Sequence, residues 1–318
     1  MRIALLGATS HIARDWVVSC HQHSAHDLVL YARRPAAVAQ WQAAHGLAGR
    51  YPVADFSAFT VAEPFDAIVN CVGIGDPAKA LAMGAAILDI THQYDTLALT
   101  YVRQHPTCRY IFLSSGAAYG ADFAKPVAEH SLATIPINHL QPQDWYSIAK
   151  LHAECRHRAQ ADWPIIDIRV FSYFSRTLDS NARFLLADIL RAIRNQTVLH
   201  TSAVEIVRDF ITPGDFHRLI EALLTAPPVN AVVDSYSRAP ISKLALLDLM
   251  HHTFGLQYAI TEHHAALNAT GLKPHYYSLN RQAAHYGYQP QLSSAEGIVQ
   301  ECESRLGQAR ILCSTPTG

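Results

Sequence analysis

A doubly wound α/β fold, in which helices cover both faces of a parallel sheet, is predicted by three features of the sequence. Short apolar runs alternate with segments of helical periodicity through the first half of the chain. These runs are apolar at successive positions rather than at every second one, which is typical of strands covered on both faces. After about residue 172 the alternation breaks, and a tail dense in His, Tyr and Gly follows.

Local composition predicts the individual elements. Five runs rich in β-branched residues or leucine are predicted strands, namely 2–7, 28–32, 66–73, 109–115 and 165–171. Amphipathic periodicity predicts helices between them, over 78–105 and 147–161. Further along, the pattern predicts a helix over 184–195, a strand within 204–211, a helix from Pro213 and a strand over 230–236. The repeated order of strand, helix and strand is that of a parallel sheet.

Charge and cysteine content exclude several classes of function. The chain has 25 Lys and Arg against 26 Asp and Glu, without a run of like charge that would indicate binding to nucleic acid or a membrane. We therefore expect a small-molecule partner. The scattered cysteines and the short N-terminal apolar run favour a soluble cytoplasmic protein with reduced thiols. The cysteines are Cys20, Cys71, Cys108, Cys155, Cys302 and Cys313.

Histidine is abundant, with 19 residues, and the stretch "HQHSAH" contains His21, His23 and His26. Three close histidines are a possible zinc site. Because the stretch follows a predicted helix and lies in a polar turn, we interpret it as solvated surface histidines. We predict no metal site.

The turn "LLGATSHIA" follows the first predicted strand and opens a helix, as a phosphate-binding turn must. Gly7 permits the tight turn, Ala13 allows helix and strand to approach, and the helix N-terminus offers N–H groups to a pyrophosphate. Ser10 replaces the middle glycine of the usual motif, although its hydroxyl can donate to a phosphate oxygen. The predicted contacts of the dinucleotide in this turn are Gly7, Thr9, Ser10, His11 and Ile12.

This turn makes the predicted fold Rossmann-type, with two parts. The dinucleotide-binding domain is predicted to comprise 1–172 and 205–235. A smaller, discontinuous substrate-binding lobe is predicted to comprise 173–204 and 236–318, because 318 residues exceed a typical single core. Ligands of open parallel sheets bind at the carboxyl ends of the strands, where this lobe would lie.

The end of the second strand discriminates between dinucleotides. An acidic residue there binds the ribose 2′-OH of NAD, whereas arginine accommodates the 2′-phosphate of NADP. The sequence "YARRP" has Arg33 and Arg34 and no acid, so NADP(H) is favoured over NAD(H). The alternative is that both arginines only solvate a loop. Further predicted cofactor contacts are Asp55 and Phe56 after an additional short third strand in "PVADF" (52–56), and Val72 and Gly73 at the end of the fourth strand, 66–73.

Several motifs together identify a family. "SSGAAYG" ends the fifth strand, and Tyr146 follows Ser115 by 31 residues, with Lys150 one helical turn further on. "NCVGIG", "YSIAKLHAE", "VRDFITPGD" and "SLNRQAAHYGYQP" complete the pattern. The chain thus resembles the extended short-chain dehydrogenase/reductase family, in particular its nucleotide-sugar epimerase, dehydratase and reductase branch.

The resemblance implies roles for three residues. Tyr146 would be the acid/base, Lys150 its electrostatic partner and a ligand of the nicotinamide ribose, and Ser115 the group that polarises the substrate oxygen. An ordinary tyrosine, with a pKa of about 10, is a poor base at neutral pH. A cation one turn away is expected to lower that pKa.

The same resemblance bears on the substrate. Family dehydratases carry an acidic pair directly after the catalytic hydroxyl residue, where this chain has Gly116 and Ala117, so dehydration is disfavoured. Arg208 resembles the arginine that binds the sugar-nucleotide pyrophosphate, unless it forms a salt bridge with Asp209. Ser172 stands where relatives often have Asn. The predicted substrate contacts are Ser115, Gly116, Ser172 and Arg208.

The predicted function is reduction of a 4-keto group on a nucleotide-linked sugar. The alternatives are a nucleotide-sugar 4-epimerase with tightly bound NAD, a reductase of a ketone without a nucleotide, and a non-catalytic regulator that senses NADP. Relatives commonly form homodimers through the helices around 78–105 and 147–161, so a homodimer is expected from the resemblance.

Overall fold

The computed structural model describes residues 1–74, 77–120, 123–182, 184–261 and 273–306. The strands, in chain order, are β1 (Arg2–Leu6), β2 (Asp27–Tyr31), β3 (Val53–Ala54), β4 (Ala67–Asn70), β5 (Arg109–Ser115), β6 (Ile165–Val170), β7 (Ser172–Tyr173), β8 (Leu199–Thr201), β9 (Val207–Arg208), β10 (Phe210–Ile211), β11 (Ala231–Asp234), β12 (Ile241–Ser242), β13 (Tyr258–Ile260) and β14 (His275–Tyr276).

The helices are α1 (His11–His23), α2 (Pro35–Ala44), α3 (Pro77–Met83), α4 (Ala86–Gln104), α5 (Asp144–Arg158), α6 (Leu185–Asn195), α7 (Pro213–Thr225), α8 (Lys243–Phe254) and α9 (Ser294–Leu306). The single helix predicted over 78–105 is therefore wrong. Gly84, with a φ of +54°, interrupts it between α3 and α4. No helix in the described ranges combines the length and the apolar character needed to cross a bilayer.

The central sheet has seven parallel strands in the order β11-β6-β5-β4-β1-β2-β3. Along β1, Ile3 and Leu5 enter the core under α1 and α7. Ala4 and Leu6 enter the core on the opposite face, under α4 and α5. Both faces are thus covered, which explains the continuous hydrophobicity of the strands and confirms the predicted doubly wound fold.

A separate apolar cluster joins α6, α8 and α9 in the second half of the chain. The strand predicted within 204–211 is two short strands in different sheets. β9 lies between β12 and β14, whereas β10 pairs with β7. Asp209 lies between β9 and β10, and its carboxylate accepts hydrogen bonds from the Ser237 backbone N–H. The residue limits of the two lobes stay a prediction.

A buried charge network joins α4, α5 and β6 on the second face of the sheet. The His157 side chain is 0 % exposed, and its Nε2 and Nδ1 lie 2.7 Å and 2.6 Å from carboxylate oxygens of Asp95 and Asp167. Arg156 and Arg158 bind the second oxygens of the same two carboxylates. Burial opposes the charged ring, but the carboxylates outweigh it and raise the pKa of His157 to about 9.

We expect the stabilisation by His157 to disappear as the pH rises. An unfolded histidine has a pKa of about 6.5, so the raised pKa stabilises the fold fully below that pH and is lost through about pH 9. Chemical denaturation between about pH 6.5 and pH 9 measures the free energy of unfolding of the wild type and of Asp167→Asn, which lacks one of the two carboxylates that raise this pKa. The wild type should be the more stable protein at the lower pH, and this difference in unfolding free energy should narrow as the pH rises. If the difference in unfolding free energy stayed constant over this pH range, the raised pKa of His157 would be contradicted.

Candidate active site

The turn after β1 has the geometry of a phosphate-binding turn. Gly7 has a φ of +85°, and a Cβ there would lie 2.8 Å from the backbone of Cys71 and Val72. Only glycine therefore allows this approach to the end of β4. Ser10 caps α1, since its hydroxyl accepts a hydrogen bond from the Ala13 N–H at 3.3 Å. The first N–H groups of α1 are then the donors for an anion.

The other predicted contacts of this turn differ in how they can contribute. Thr9 lies in the turn and is partly buried. The His11 side chain is engaged within the protein, with Nε2 at 2.7 Å from Ser175 Oγ and 2.8 Å from Thr177 Oγ1. Ile12 packs against the core. His11 and Ile12 would therefore bind phosphate through backbone N–H groups rather than side chains.

The end of β2 carries positive charge from two elements. Arg33 and Arg34 are exposed, and Arg34 immediately precedes α2. Arg14 on α1 joins them, with its guanidinium carbon 5.6 Å from the centre of the Trp41 ring. Burial lowers the pKa of Arg14, and the charge of Arg34 lowers it further. Sequence reasoning missed Arg14, although its place in the first turn of α1 could have indicated it.

The loops after β3 and β4 hold the remaining predicted cofactor contacts. Asp55 is exposed, and its Oδ1 accepts hydrogen bonds from Ser57 N at 2.8 Å and Ser57 Oγ at 2.5 Å. This contact lowers the pKa of Asp55. The Phe56 ring lies 4.4 Å from that of Tyr94. The Val72 N–H donates to Asn70 Oδ1. These residues therefore lie in the loops that follow neighbouring strands of the sheet, and their binding of a cofactor stays a prediction.

Gly73, in the loop after β4, lies close to one of the predicted catalytic residues. A Cβ at Gly73 would lie 3.4 Å from Lys150 Nζ. Lys150 Nζ donates a hydrogen bond of 2.6 Å to the Leu113 carbonyl and lies 4.5 Å from the centre of the Phe112 ring. The lysine thus lies between the end of β5 and the loop after β4.

The Ser115 and Tyr146 side chains meet at the end of β5. The Ser115 hydroxyl favours the phenolate form of Tyr146 and so acts to lower its pKa. Ser115 Oγ also accepts from the Ala117 N–H at 3.2 Å. The structure therefore brings together Ser115, Tyr146 and Lys150 from β5 and α5.

The charge state of the site differs from the expectation. Burial raises the pKa of Tyr146, and the hydrogen bond with Ser115 offsets this only in part. Burial also lowers the pKa of Lys150 to about 8. The prediction that Lys150 brings the pKa of Tyr146 below its ordinary value is wrong for this arrangement, because burial is the larger effect on both groups.

A second phenol, which sequence reasoning missed, contacts the same serine. Tyr276 Oη lies 3.2 Å from Ser115 Oγ, and burial raises the pKa of Tyr276. Two cations flank its ring, with Arg208 Cζ at 5.8 Å and Lys273 Nζ at 5.1 Å from the ring centre. The tail is dense in tyrosine, but no spacing relates position 276 to position 115.

Arg208 is held by backbone carbonyls. Its Nη1 donates to the carbonyls of Val207 and Lys273, both at 2.8 Å. Burial lowers the pKa of Arg208 to about 10. Burial and the charge of Arg208 together lower the pKa of Lys273 to about 8. Arg208 and Asp209 are both described, and they form no salt bridge with each other. The two cations are available to pair with an anionic ligand.

Gly116 lies against the buried ring of Phe171, the residue that precedes Ser172. A Cβ at Gly116 would overlap the ring carbons of Phe171. Ser172 is partly buried in β7 and pairs with Phe210. The lack of a side chain at position 116 is therefore a packing requirement. A substrate contact there would come from the backbone.

Sequence comparison places the chain in a family. The model described as the NAD dependent epimerase/dehydratase family matches residues 3–236. The chain belongs to that family. This match confirms the resemblance to the epimerase and dehydratase family that the motifs indicated. A search of curated protein sequences gave no significant match.

Solved structures of nucleotide-sugar epimerases and of a dehydratase have the same fold as this chain. UDP-glucuronic acid 4-epimerase from Bacillus cereus, in complex with UDP-glucuronic acid and NAD, has a TM-score of 0.77 at 16% identity, covering 96% of this chain and 99% of that one. UDP-glucose 4-epimerase from Thermotoga maritima, with UDP-glucose, has a TM-score of 0.75 at 15% identity, and the match covers 96% of this chain and 100% of that one. dTDP-glucose 4,6-dehydratase from Bacillus anthracis, with NAD, has a TM-score of 0.73 at 12% identity, and the match covers 95% of this chain and 96% of that one.

We expect Gly116→Ala to destabilise the protein by about 1–3 kcal/mol, because the new methyl group would overlap the Phe171 ring. Urea denaturation measures this loss. Gly214→Ala, at the exposed start of α7, is the matched control and should have little effect. Phe171→Leu in the Gly116→Ala background should recover part of the loss. A Gly116→Ala protein as stable as the wild type would contradict the proposed packing role.

Proposed function

We propose that this protein transfers a hydride between a nicotinamide dinucleotide and a nucleotide-linked sugar, and that its physiological direction is reduction of a 4-keto group. The main support is the contact between Ser115 and Tyr146 at the end of β5, with Lys150 one helical turn away. A Cβ at Gly73, in the loop after β4, would lie 3.4 Å from Nζ of the same lysine. The proposed acid/base group and the proposed dinucleotide site would therefore adjoin.

The residues of the site fit proton transfer to a substrate oxygen. The bound dinucleotide supplies or accepts the hydride. Tyr146, whose pKa is raised by burial, is protonated at neutral pH and can donate its proton to a keto oxygen. The Ser115 hydroxyl stabilises the charge that develops on that oxygen. The Lys150 ammonium donates to the Leu113 carbonyl and lies close to Gly73.

Two partly buried cations support an anionic substrate. Arg208 and Lys273 flank the Tyr276 ring next to Ser115, and burial lowers the pKa of both. A pyrophosphate would neutralise them, and an arginine suits its two oxygens. Gly116 offers no acidic side chain, so the site lacks the groups for dehydration. A sugar nucleotide that keeps its C6 hydroxyl fits these features.

NADP(H) is the proposed cofactor. Arg33 and Arg34 lie exposed at the end of β2, and Arg14 adds a third guanidinium within electrostatic reach of Arg34. Arg14 Nε is buried and has no hydrogen-bond partner among the described residues. A 2′-phosphate would neutralise this cluster. The backbone N–H groups at the start of α1 and the exposed Gly73 fit either NAD(H) or NADP(H), so the preference for NADP(H) depends on the arginines.

A 4-epimerase is the second candidate, because the family includes such enzymes and the solved UDP-glucuronic acid 4-epimerase contains NAD. An epimerase returns the hydride to the same sugar and retains its NAD. The nucleotide that copurifies distinguishes the two. Tightly bound NAD supports the epimerase, and a site that fills from added NADPH supports the reductase.

A cytoplasmic homodimer is part of the proposal. Its support is the family resemblance, in which the helices equivalent to α4 and α5 form the interface. In this chain, α4 and α5 pack against each other on one face of the sheet.

Tyr146→Phe should lower kcat for a nucleotide-linked 4-keto sugar by about 100- to 10,000-fold, because it removes the general acid. NADPH binding should be nearly unchanged. Stopped-flow absorbance measures turnover, and fluorescence titration measures binding. Tyr258→Phe, which removes a hydroxyl bound to Asp248 instead, is the matched control. Normal turnover by Tyr146→Phe would refute the assignment.

Arg34→Ala should weaken NADPH binding by about 10-fold or more while changing NADH binding little, because each charge-assisted hydrogen bond contributes about 1.5–3 kcal/mol. Arg14→Gln should act in the same direction. Calorimetric titration with each nucleotide measures both. Arg50→Ala is the control, since Arg50 lies against the Tyr51 ring. Equal losses for the two nucleotides would show that these arginines do not bind a 2′-phosphate.

A further inference from the structure

The last turn of α1 faces the middle of α7, and three potential metal ligands meet there. Cys20 lies on α1, and His217 and Glu221 lie one turn apart on α7. One ligand atom of each lies within 4.8 Å of the others. Within the described ranges, no other group of three or more His, Cys, Asp or Glu side chains meets this criterion.

His217 carries an unsatisfied nitrogen at this place. The residue is only 6% exposed, and its Nε2 lies 3.3 Å from Ser24 Oγ. Nδ1 is buried without a hydrogen-bond partner among the described residues. It lies 3.9 Å from Glu221 Oε1. A buried polar atom without a partner is unfavourable, and coordination of a cation would satisfy it.

The Glu221 carboxylate is held by a neighbouring side chain, as the carboxylate ligands of metal ions usually are. His26 Nε2 lies 3.0 Å and 3.1 Å from its two oxygens. Such outer contacts orient a ligand and are common around zinc. The His23 ring adjoins that of His217, with 5.9 Å between ring centres.

The interpretation of "HQHSAH" as surface histidines is confirmed for His21 and His23, which are exposed, but the prediction that the stretch lies in a polar turn is wrong. α1 continues through His23, so His21 and His23 lie on its last turn rather than in a polar turn. His23 is exposed, whereas His26 is half-buried against Glu221. The partners come from α7, almost 200 residues away, which local sequence cannot show.

We propose that Cys20, His217 and Glu221 bind one Zn²⁺, with His26 orienting Glu221. Sulfur, imidazole nitrogen and carboxylate oxygen are the ligands that zinc takes in proteins, whereas Ca²⁺ and Mg²⁺ prefer oxygen alone. On binding, the Cys20 thiol gives its proton to solvent and a zinc–sulfur bond forms. His23 or a water completes the tetrahedron. A surface depression lined by His217, Glu221 and Thr225 reaches two of the three ligands, whereas Cys20 is fully buried.

The position indicates a structural role. α1 begins at the phosphate-binding turn, and the proposed ligands lie at its other end, so the zinc would tie α1 to α7 without contacting the cofactor groove. Both helices cover the same face of the sheet. The site is therefore independent of the hydride chemistry.

The test uses the full-length protein after treatment with a chelator. Calorimetry with Zn²⁺ should show one ion per chain, and Co²⁺ should produce a thiolate-to-cobalt charge-transfer band in the near ultraviolet. Cys20→Ser should lose that band, and His26→Gln should weaken Zn²⁺ binding by about 10- to 100-fold. His45→Gln is the control, because His45 binds the Trp41 carbonyl outside the cluster.

Thermal unfolding gives an independent measurement. Zn²⁺ should raise the Tm of the wild type and of His45→Gln, but not that of Cys20→Ser or His217→Gln. Circular dichroism verifies that each variant is folded. The proposal is overturned if the wild type binds no stoichiometric Zn²⁺. It is also overturned if folded Cys20→Ser and His217→Gln bind Zn²⁺ as tightly as the wild type.

Discussion

The hydrogen bond from Lys150 Nζ to the Leu113 carbonyl is the contact on which the arrangement of the site depends. It fixes α5 against the carboxyl end of β5, so that Tyr146 on the helix reaches Ser115 on the strand. Burying an ammonium is unfavourable, and the lowered pKa of Lys150 reflects this. The carbonyl and the Phe112 ring compensate for part of the lost hydration.

A second set of polar contacts, around Glu154, holds the loop that follows β5. The Glu154 carboxylate accepts hydrogen bonds from Ser114 and from the Arg169 guanidinium. Arg169 in turn lies 4.2 Å from the Tyr119 ring, and Tyr119 donates to Asp234 at the end of β11. Neighbouring strand ends are therefore connected through side chains as well as through the sheet. A rigid edge of this kind suits a reaction that requires accurate placement of two molecules.

The parallel sheet covered on both faces could be predicted, because continuous apolar runs and the Gly7 turn are local signals. Ser115, Tyr146 and Lys150 were expected from the family resemblance, and the structure brings them together at the end of β5, while their catalytic roles stay a prediction. Tyr276 could not be predicted, since it reaches Ser115 only through the packing of a distant segment. The direction of the Tyr146 pKa also escaped prediction, because burial depends on every neighbouring element.

The contact between Gly116 and the Phe171 ring also limits how this protein could change its chemistry. Placing a carboxylate directly after Ser115, as dehydratases of the branch do, requires room that the aromatic ring occupies. A single-step exchange toward that activity would pass through a poorly packed intermediate. Replacement of Phe171 by a smaller residue would therefore have to come before an acidic residue at position 116. Packing thus restricts the order in which the two substitutions can occur.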